Sequence, residues 1–176
     1  MRHAILPLAA LLLCQLPSVS FGSEVLEASG VQGGLVVVVG CGDLELLTDL
    51  GRREAFLVHG LDTDMAKVAT ARELVQEEKL TRRVTISSGD GMRLPYVDTA
   101  VNLLVRAGTQ HVPKDVELEK ALAPGGLIVT REKPVSDLVF TRTGNWLVYR
   151  EAVPGAIDGW SHHLYNSTGI GAGNDR

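Results

Sequence analysis

Aromatic residues are scarce in this chain, at 5% of 176 residues. A core built without them has to rest on Val, Leu, Ile and Ala. With 45% of the residues hydrophobic, there are enough of these for one domain of ordinary size. Aliphatic cores of this kind suit sheets covered by helices on both faces. Cysteine is scarcer still, with only Cys14 and Cys41. If Cys14 leaves with a targeting segment, Cys41 stands alone and an internal disulfide is excluded. Long runs of Lys or Arg are missing and the net charge is −4, so the footprint of a nucleic-acid binder is absent. No internal repeat or low-complexity stretch interrupts the chain.

The N-terminus carries a targeting pattern. Arg2 and His3 give a short basic start, and Ile5 to Leu16 form an apolar stretch too short to span a bilayer comfortably. Ser20 and Gly22 supply small residues at the −3 and −1 positions of a cut after Gly22. The expectation is a signal peptide over residues 1–22 and an exported chain, periplasmic or secreted, with no membrane association after cleavage. A buried or anchoring helix is the alternative. A lipoprotein signal is disfavoured, because Leu13 precedes Cys14 where a small residue is required.

From Ser23 onward the chain alternates between two hydrophobic periods. After Glu24 to Ser29, a short helical or coil segment, glycines at 30, 33 and 34 break the chain. Leu35 to Val39 is then a β-branched run with no polar alternation, as expected of a strand buried on both faces. Gly40-Cys41-Gly42 comes next, with Asp43 as N-cap of a helix over Leu44 to Leu50. A second strand, Ala55 to Leu61, leads to Asp62. Thr63 or Asp64 caps a helix to about Lys79, with Met65, Val68, Ala71 and Val75 on its apolar face. Further strands are expected over Val84 to Ile86, Ala100 to Val105 and Leu127 to Thr130. A short helix is expected over Val116 to Leu122, and turns at Gly89-Asp90-Gly91 and Pro124-Gly125-Gly126. Alternating units of this kind force right-handed crossovers and a parallel sheet. The fold class is therefore α/β and Rossmann-like, a mostly parallel sheet with helices on both faces, over residues 23–150. Its C-terminal part is trimmed to a hairpin of Leu138 to Thr141 and Trp146 to Tyr149 around Gly144-Asn145. Residues 151–176 have no periodicity and read as a tail or linker.

Three loops at strand ends carry the chemistry. Gly40 and Gly42 let the backbone turn sharply and approach a ligand, and the next helix N-terminus offers free N–H groups to an anion. Asp62, about twenty residues on, can accept both hydroxyls of a ribose, or else cap the next helix. Asp90 can accept an exocyclic amine of adenine while Met92 touches its ring, or else it forms an Asx turn.

Together these residues resemble the class I methyltransferases that use S-adenosylmethionine (SAM). VVVVGCGD looks like their glycine motif and HGLDTD like the motif with the ribose-binding acid. SSGDGMRLPYVDTAVNLLV resembles their Gly-Asp and Leu-Pro segment, and LAPGGLIV their turn into the fifth strand. The resemblance runs in order from Leu35 to Thr130. It implies SAM as cofactor, held by Gly40, Cys41, Gly42, Asp62, Thr63, Asp90, Gly91 and Met92, with a methyl acceptor that the sequence leaves unknown. Ile157 to Asn166 (IDGWSHHLYN) is similar to a segment of large exported bacterial proteins, where it joins a methyltransferase-like domain to a PQQ-binding-like β-propeller. That similarity implies a longer parent protein with a propeller as partner.

The chain departs from the family pattern in places. Leu44 stands where the third glycine of GxGxG is usual, and is expected to crowd the ligand if that position needs a positive φ. Val38 replaces a common acid. No catalytic residue is visible. Methyl transfer depends mainly on holding donor and acceptor in line, and a base serves only some acceptors. His111 is a candidate base or a solvated loop residue. His162-His163 lack partners at ligand spacing, so no metal is expected. Asn166-Ser167-Thr168 fits a glycosylation sequon, which bacterial export would make irrelevant. Two other functions are open: a non-catalytic binding or scaffold domain of an exported propeller protein, and an NAD-dependent oxidoreductase. The second is disfavoured because Glu45 occupies the last glycine of GxGxxG and would repel a pyrophosphate.

Overall fold

The computed structural model describes residues 21–108, 113–132 and 137–153. Its centre is a seven-stranded sheet in the order β3-β2-β1-β4-β5-β7-β6. The strands are β1 (Gly34–Val39), β2 (Phe56–Asp62), β3 (Val84–Ser88), β4 (Val101–Arg106), β5 (Leu122–Thr130), β6 (Thr141–Thr143) and β7 (Trp146–Arg150). The first five are parallel to one another, and β7 runs antiparallel to both β5 and β6. The strand order reverses between β1 and β4, which leaves a crevice at their carboxyl ends. Val36 to Val38 are fully buried because both faces of β1 are covered, which is why that run shows no polar alternation.

The helices are α1 (Phe21–Ser29), α2 (Leu44–Gly51), α3 (Met65–Glu77) and α4 (Asp115–Ala121). The first three share one face of the sheet. There Leu46, Leu47 and Leu50 of α2 meet Val25 of α1, Val68 of α3, and Val36 and Val38 of β1. Full burial of each such side chain stabilises the fold by about 1.5–3 kcal/mol. On the other face α4 places Leu118 against Val37, Leu104 and Ile128, and the remaining cover comes from Leu94, Tyr96, Leu138, Phe140 and Tyr149.

Two details differ from the sequence expectation. Pro124-Gly125-Gly126 lies inside β5 rather than before it. Val101 pairs with Leu122 and Leu103 with Leu127, so β4 spends two steps where β5 spends five, and the surplus bulges out at Gly125 (φ +75). The terminal hairpin is shorter on its first strand, beginning at Thr141. It turns on Gly144 (φ +58), the position a two-residue hairpin loop reserves for glycine. His111, the tail from residue 154 and residues 1–20 lie outside the described residues.

Candidate functional site

The carboxyl end of β1 is built around two glycines with different duties. Gly40 has φ +102, and a Cβ there would stand 2.7 Å from the Gly108 nitrogen. It therefore allows the loop after β4 to close on the end of β1, where the Ala107 and Gly108 N–H groups both donate to the Val39 carbonyl at 2.9 and 3.2 Å. Gly42 is the reverse case. A Cβ on it would meet nothing within 4 Å, so its bareness leaves open space in front of the backbone. Asp43 then caps α2, its carboxylate accepting from the Leu46 N–H at 2.9 Å.

Asp62 ends β2 with its carboxylate turned to this loop. Oδ2 accepts from the Cys41 N–H at 2.8 Å and Oδ1 from the Asp64 N–H at 2.9 Å. The two bonds fix the carboxylate plane and leave each oxygen a further acceptor site. The cap of α3 is Asp64, which accepts from the Ala66 N–H at 2.9 Å, so Asp62 is free of that duty.

The crossover from β3 to β4 forms the facing wall. The Gly89 N–H donates to the Asp62 carbonyl at 3.0 Å. Asp90 Oδ1 accepts from the N–H groups of Met92 and Arg93, at 2.8 and 2.9 Å. These two bonds, that to Arg93 foremost, hold the Asp90 carboxyl below its ordinary range.

Between these walls lies a cleft of about 500 Å³, the size of a small-ligand site. Gly40, Gly42, Asp62, Thr63 and Gly91 all line it. Three other residues of the expected set stand elsewhere. Cys41 is 1% exposed, with Sγ pointing into the core below Gly60, and presents only its main chain to the loop. Its thiol pKa is pushed up to about 12, first by burial and then by the charge of Asp62. Asp90 uses Oδ1 for its Asx turn and is not among the residues that line the cleft. Met92, 71% exposed, projects into solvent, since the turn at Asp90 presents Gly89 and Gly91 to the cleft instead.

Leu44 does not crowd the cleft as its motif position suggests. It is the first residue of α2, its backbone is not left-handed, and its side chain packs on the helix-covered core rather than in the cleft. The sequence reading missed Lys67 and Arg93, both of which line the cleft. Lys67 had a usable signal: it lies three residues after the capping Asp64, on the first turn of a helix whose start faces the crevice.

Comparison with known proteins agrees with this geometry. A family model described as a methyltransferase domain matches residues 36–126. Among curated relatives, the methyltransferase GfsG of Streptomyces halstedii is 29% identical over 116 residues, covering 63% of this chain and 40% of the relative. Demethylmenaquinone methyltransferase of Desulfitobacterium hafniense (strain Y51) is 26% identical over 129 residues, covering 69% and 51%. The chain thus spans about half or less of the length of these relatives. Among solved structures, an S-adenosyl-L-methionine-dependent methyltransferase assignment from Methanococcus maripaludis superposes with a TM-score of 0.63. It is 16% identical and covers 77% of this chain and 85% of its own. The [4+2]-cyclase SpnF gives 0.56 at 25% identity, covering 66% and 47%. Geranyl diphosphate C-methyltransferase from Streptomyces coelicolor A3(2), in complex with Mg2+, geranyl diphosphate and S-adenosyl-L-homocysteine, gives 0.55 at 21%, covering 62% and 43%. From the glycine loop through the bulge of β5, this chain belongs to the methyltransferase domain family.

Proposed function

We propose that the cleft binds S-adenosylmethionine and that the domain is a SAM-dependent methyltransferase. The observation that carries this reading is the pairing of Gly42 with Asp62. Open space stands before the one, and an oriented carboxylate with spare acceptor sites stands beside it. A nucleoside fits that donor and acceptor set: its ribose hydroxyls can donate to Asp62, while the rest of the molecule passes over Gly42. Thr63 and Leu61 flank the end of β2, and Gly89, Gly91 and Leu94 close the opposite side.

When bound, SAM supplies a methyl group on a positively charged sulfur. The chain's contribution is to bind and orient it. Asp62 fixes the ribose, Gly40 holds the β1 and β4 loops together, and the aliphatic wall excludes water from one side. No proton-transfer group is assigned, in keeping with a displacement governed by alignment. The acceptor class is left open.

The test is calorimetric titration of the full chain with S-adenosylhomocysteine. Binding is expected in the wild type, and Asp62→Asn is expected to weaken it about tenfold or more, the worth of hydrogen bonds to a charged acceptor. Absence of any heat or melting shift with millimolar SAM would sink the proposal and favour a scaffold role. We further propose, on residues 1–22 and 157–166 alone, that the chain is exported and works beside a β-propeller. N-terminal sequencing of the protein expressed in a bacterial host tests the export half, with Ser23 expected first.

A further inference from the structure

The crossover between β3 and β4 supplies Gly89, Gly91, Arg93 and Leu94 to the cleft, yet it contains no helix or strand. Its first half is held by the Gly89–Asp62 main-chain bond and by the Asx turn of Asp90. Its far end returns to order where the Thr99 N–H donates to the Lys120 carbonyl at 2.9 Å. Between these points, Val97 is 78% exposed. Tyr96 in this stretch is held by a side-chain hydrogen bond as well as by packing. The Tyr96 hydroxyl lies 2.5 Å from His59 Nδ1, and His59 Nε2 lies 2.9 Å from the Ser87 hydroxyl. The two rings meet edge to face, with centroids 5.7 Å apart.

His59 is the fourth residue of β2, and Ser87 belongs to β3. With the proton on Nε2, the imidazole donates to Ser87 and accepts from the phenol, and all three polar groups are satisfied. Leu94, two residues before Tyr96, both lines the cleft and packs on the same apolar cluster as the tyrosine ring. Any slack at Tyr96 is therefore passed directly to the cleft wall. We infer that His59 and Tyr96 form a latch, clamping the β3–β4 crossover to the sheet, and that Tyr96 is a positioning residue for the ligand in the cleft. This rests on the reading of the cleft as a nucleoside site. It adds a part that neither the glycine loop nor Asp62 provides, because those residues set one wall and the latch sets the other.

The test compares wild type, Tyr96→Phe and His59→Gln as full chains, first without ligand by hydrogen exchange and then by titration with S-adenosylhomocysteine. Tyr96→Phe keeps the ring and removes the hydroxyl. Exchange in the crossover amides should rise about five- to tenfold, as for the loss of one net hydrogen bond, while amides of β1 stay protected. The dissociation constant should rise by a similar factor. His59→Gln retains an amide oxygen able to accept from the phenol, and is expected to lie nearer wild type in both readouts. Unchanged crossover exchange in Tyr96→Phe overturns the latch. Faster exchange with an unchanged dissociation constant overturns the positioning role. If the wild type binds no S-adenosylhomocysteine, the nucleoside reading fails and the positioning role fails with it, while the exchange result still decides whether the latch exists.

Discussion

The two faces of the sheet are built by different means. Three helices cover one face, and among the described residues nineteen buried side chains form its core, against nine on the other. The second face has α4 and is otherwise closed by an irregular crossover and the β6–β7 end of the chain. On the first face cohesion is apolar and redundant. On the second a smaller apolar cluster around Leu118 is supplemented by polar ties: the His59–Tyr96 pair, the Tyr149–Glu119 hydrogen bond at 2.9 Å, and the Arg106–Asp115 ion pair at 3.4 Å, where burial pushes the guanidinium pKa down. The cleft lies between the two constructions, with a rigid floor and a more loosely held wall.

Cavity formation gives the largest expected contrast. Leu47→Ala, on α2 where the three helices pack on the sheet, should lose about 4 kcal/mol by denaturant titration. Leu118→Ala should lose about 2–3 kcal/mol, because the thinner cover relaxes into the void. Equal losses would mean that the faces are equally rigid. Next comes the glycine loop. Gly40→Ala combines a left-handed backbone with a clash against Gly108, and should cost about 2–4 kcal/mol of stability. Gly42→Ala should leave stability within about 0.5 kcal/mol but weaken S-adenosylhomocysteine roughly tenfold, since its methyl enters the ligand's space. A stability loss at Gly42 with unchanged affinity would reverse the assignment of duties. Asp43→Ala should cost about 1 kcal/mol through the lost cap of α2, measured by thermal melting.

The smallest effect is the pH response of the weaker face. Burial holds the His59 pKa below its ordinary 6.5. Ser87 from β3 and Tyr96 from the crossover face the ring, and no charged group among the described residues adds to that shift. The unfolded chain therefore takes up the proton first. Stability should be full above about pH 6.5, fall as pH drops from there toward the folded value, and level off below it. In His59→Gln that slope should vanish from the melting temperature, while other groups continue to titrate.

Much of the first face was legible in the sequence, because local signals and tertiary roles agreed there. An unbroken β-branched run does not suit a surface strand, and Val36 to Val39 is indeed the buried centre of the sheet. Asp43 was readable as a cap because its position before a periodic segment allows little else. The second face was harder to read. His59 and Tyr96 are 37 residues apart, and nothing in either segment announces the other. At Leu44 the motif position suggests crowding of the ligand, whereas the helix begins there and turns the side chain to the core. At the β5 bulge, Pro-Gly-Gly has the same local chemistry as in a free turn, and only the pairing of Leu122 with Val101 separates the two settings.

Cys41 gives the loop a built-in clock. A thiol so deeply shielded, and so reluctant to ionise, is expected to resist alkylating reagents while β1, β2 and α2 remain together. Its modification rate, followed on the Cys41 peptide by mass spectrometry, therefore counts openings of the ligand floor itself. A bound nucleoside that slows the count would do so without ever touching the sulfur.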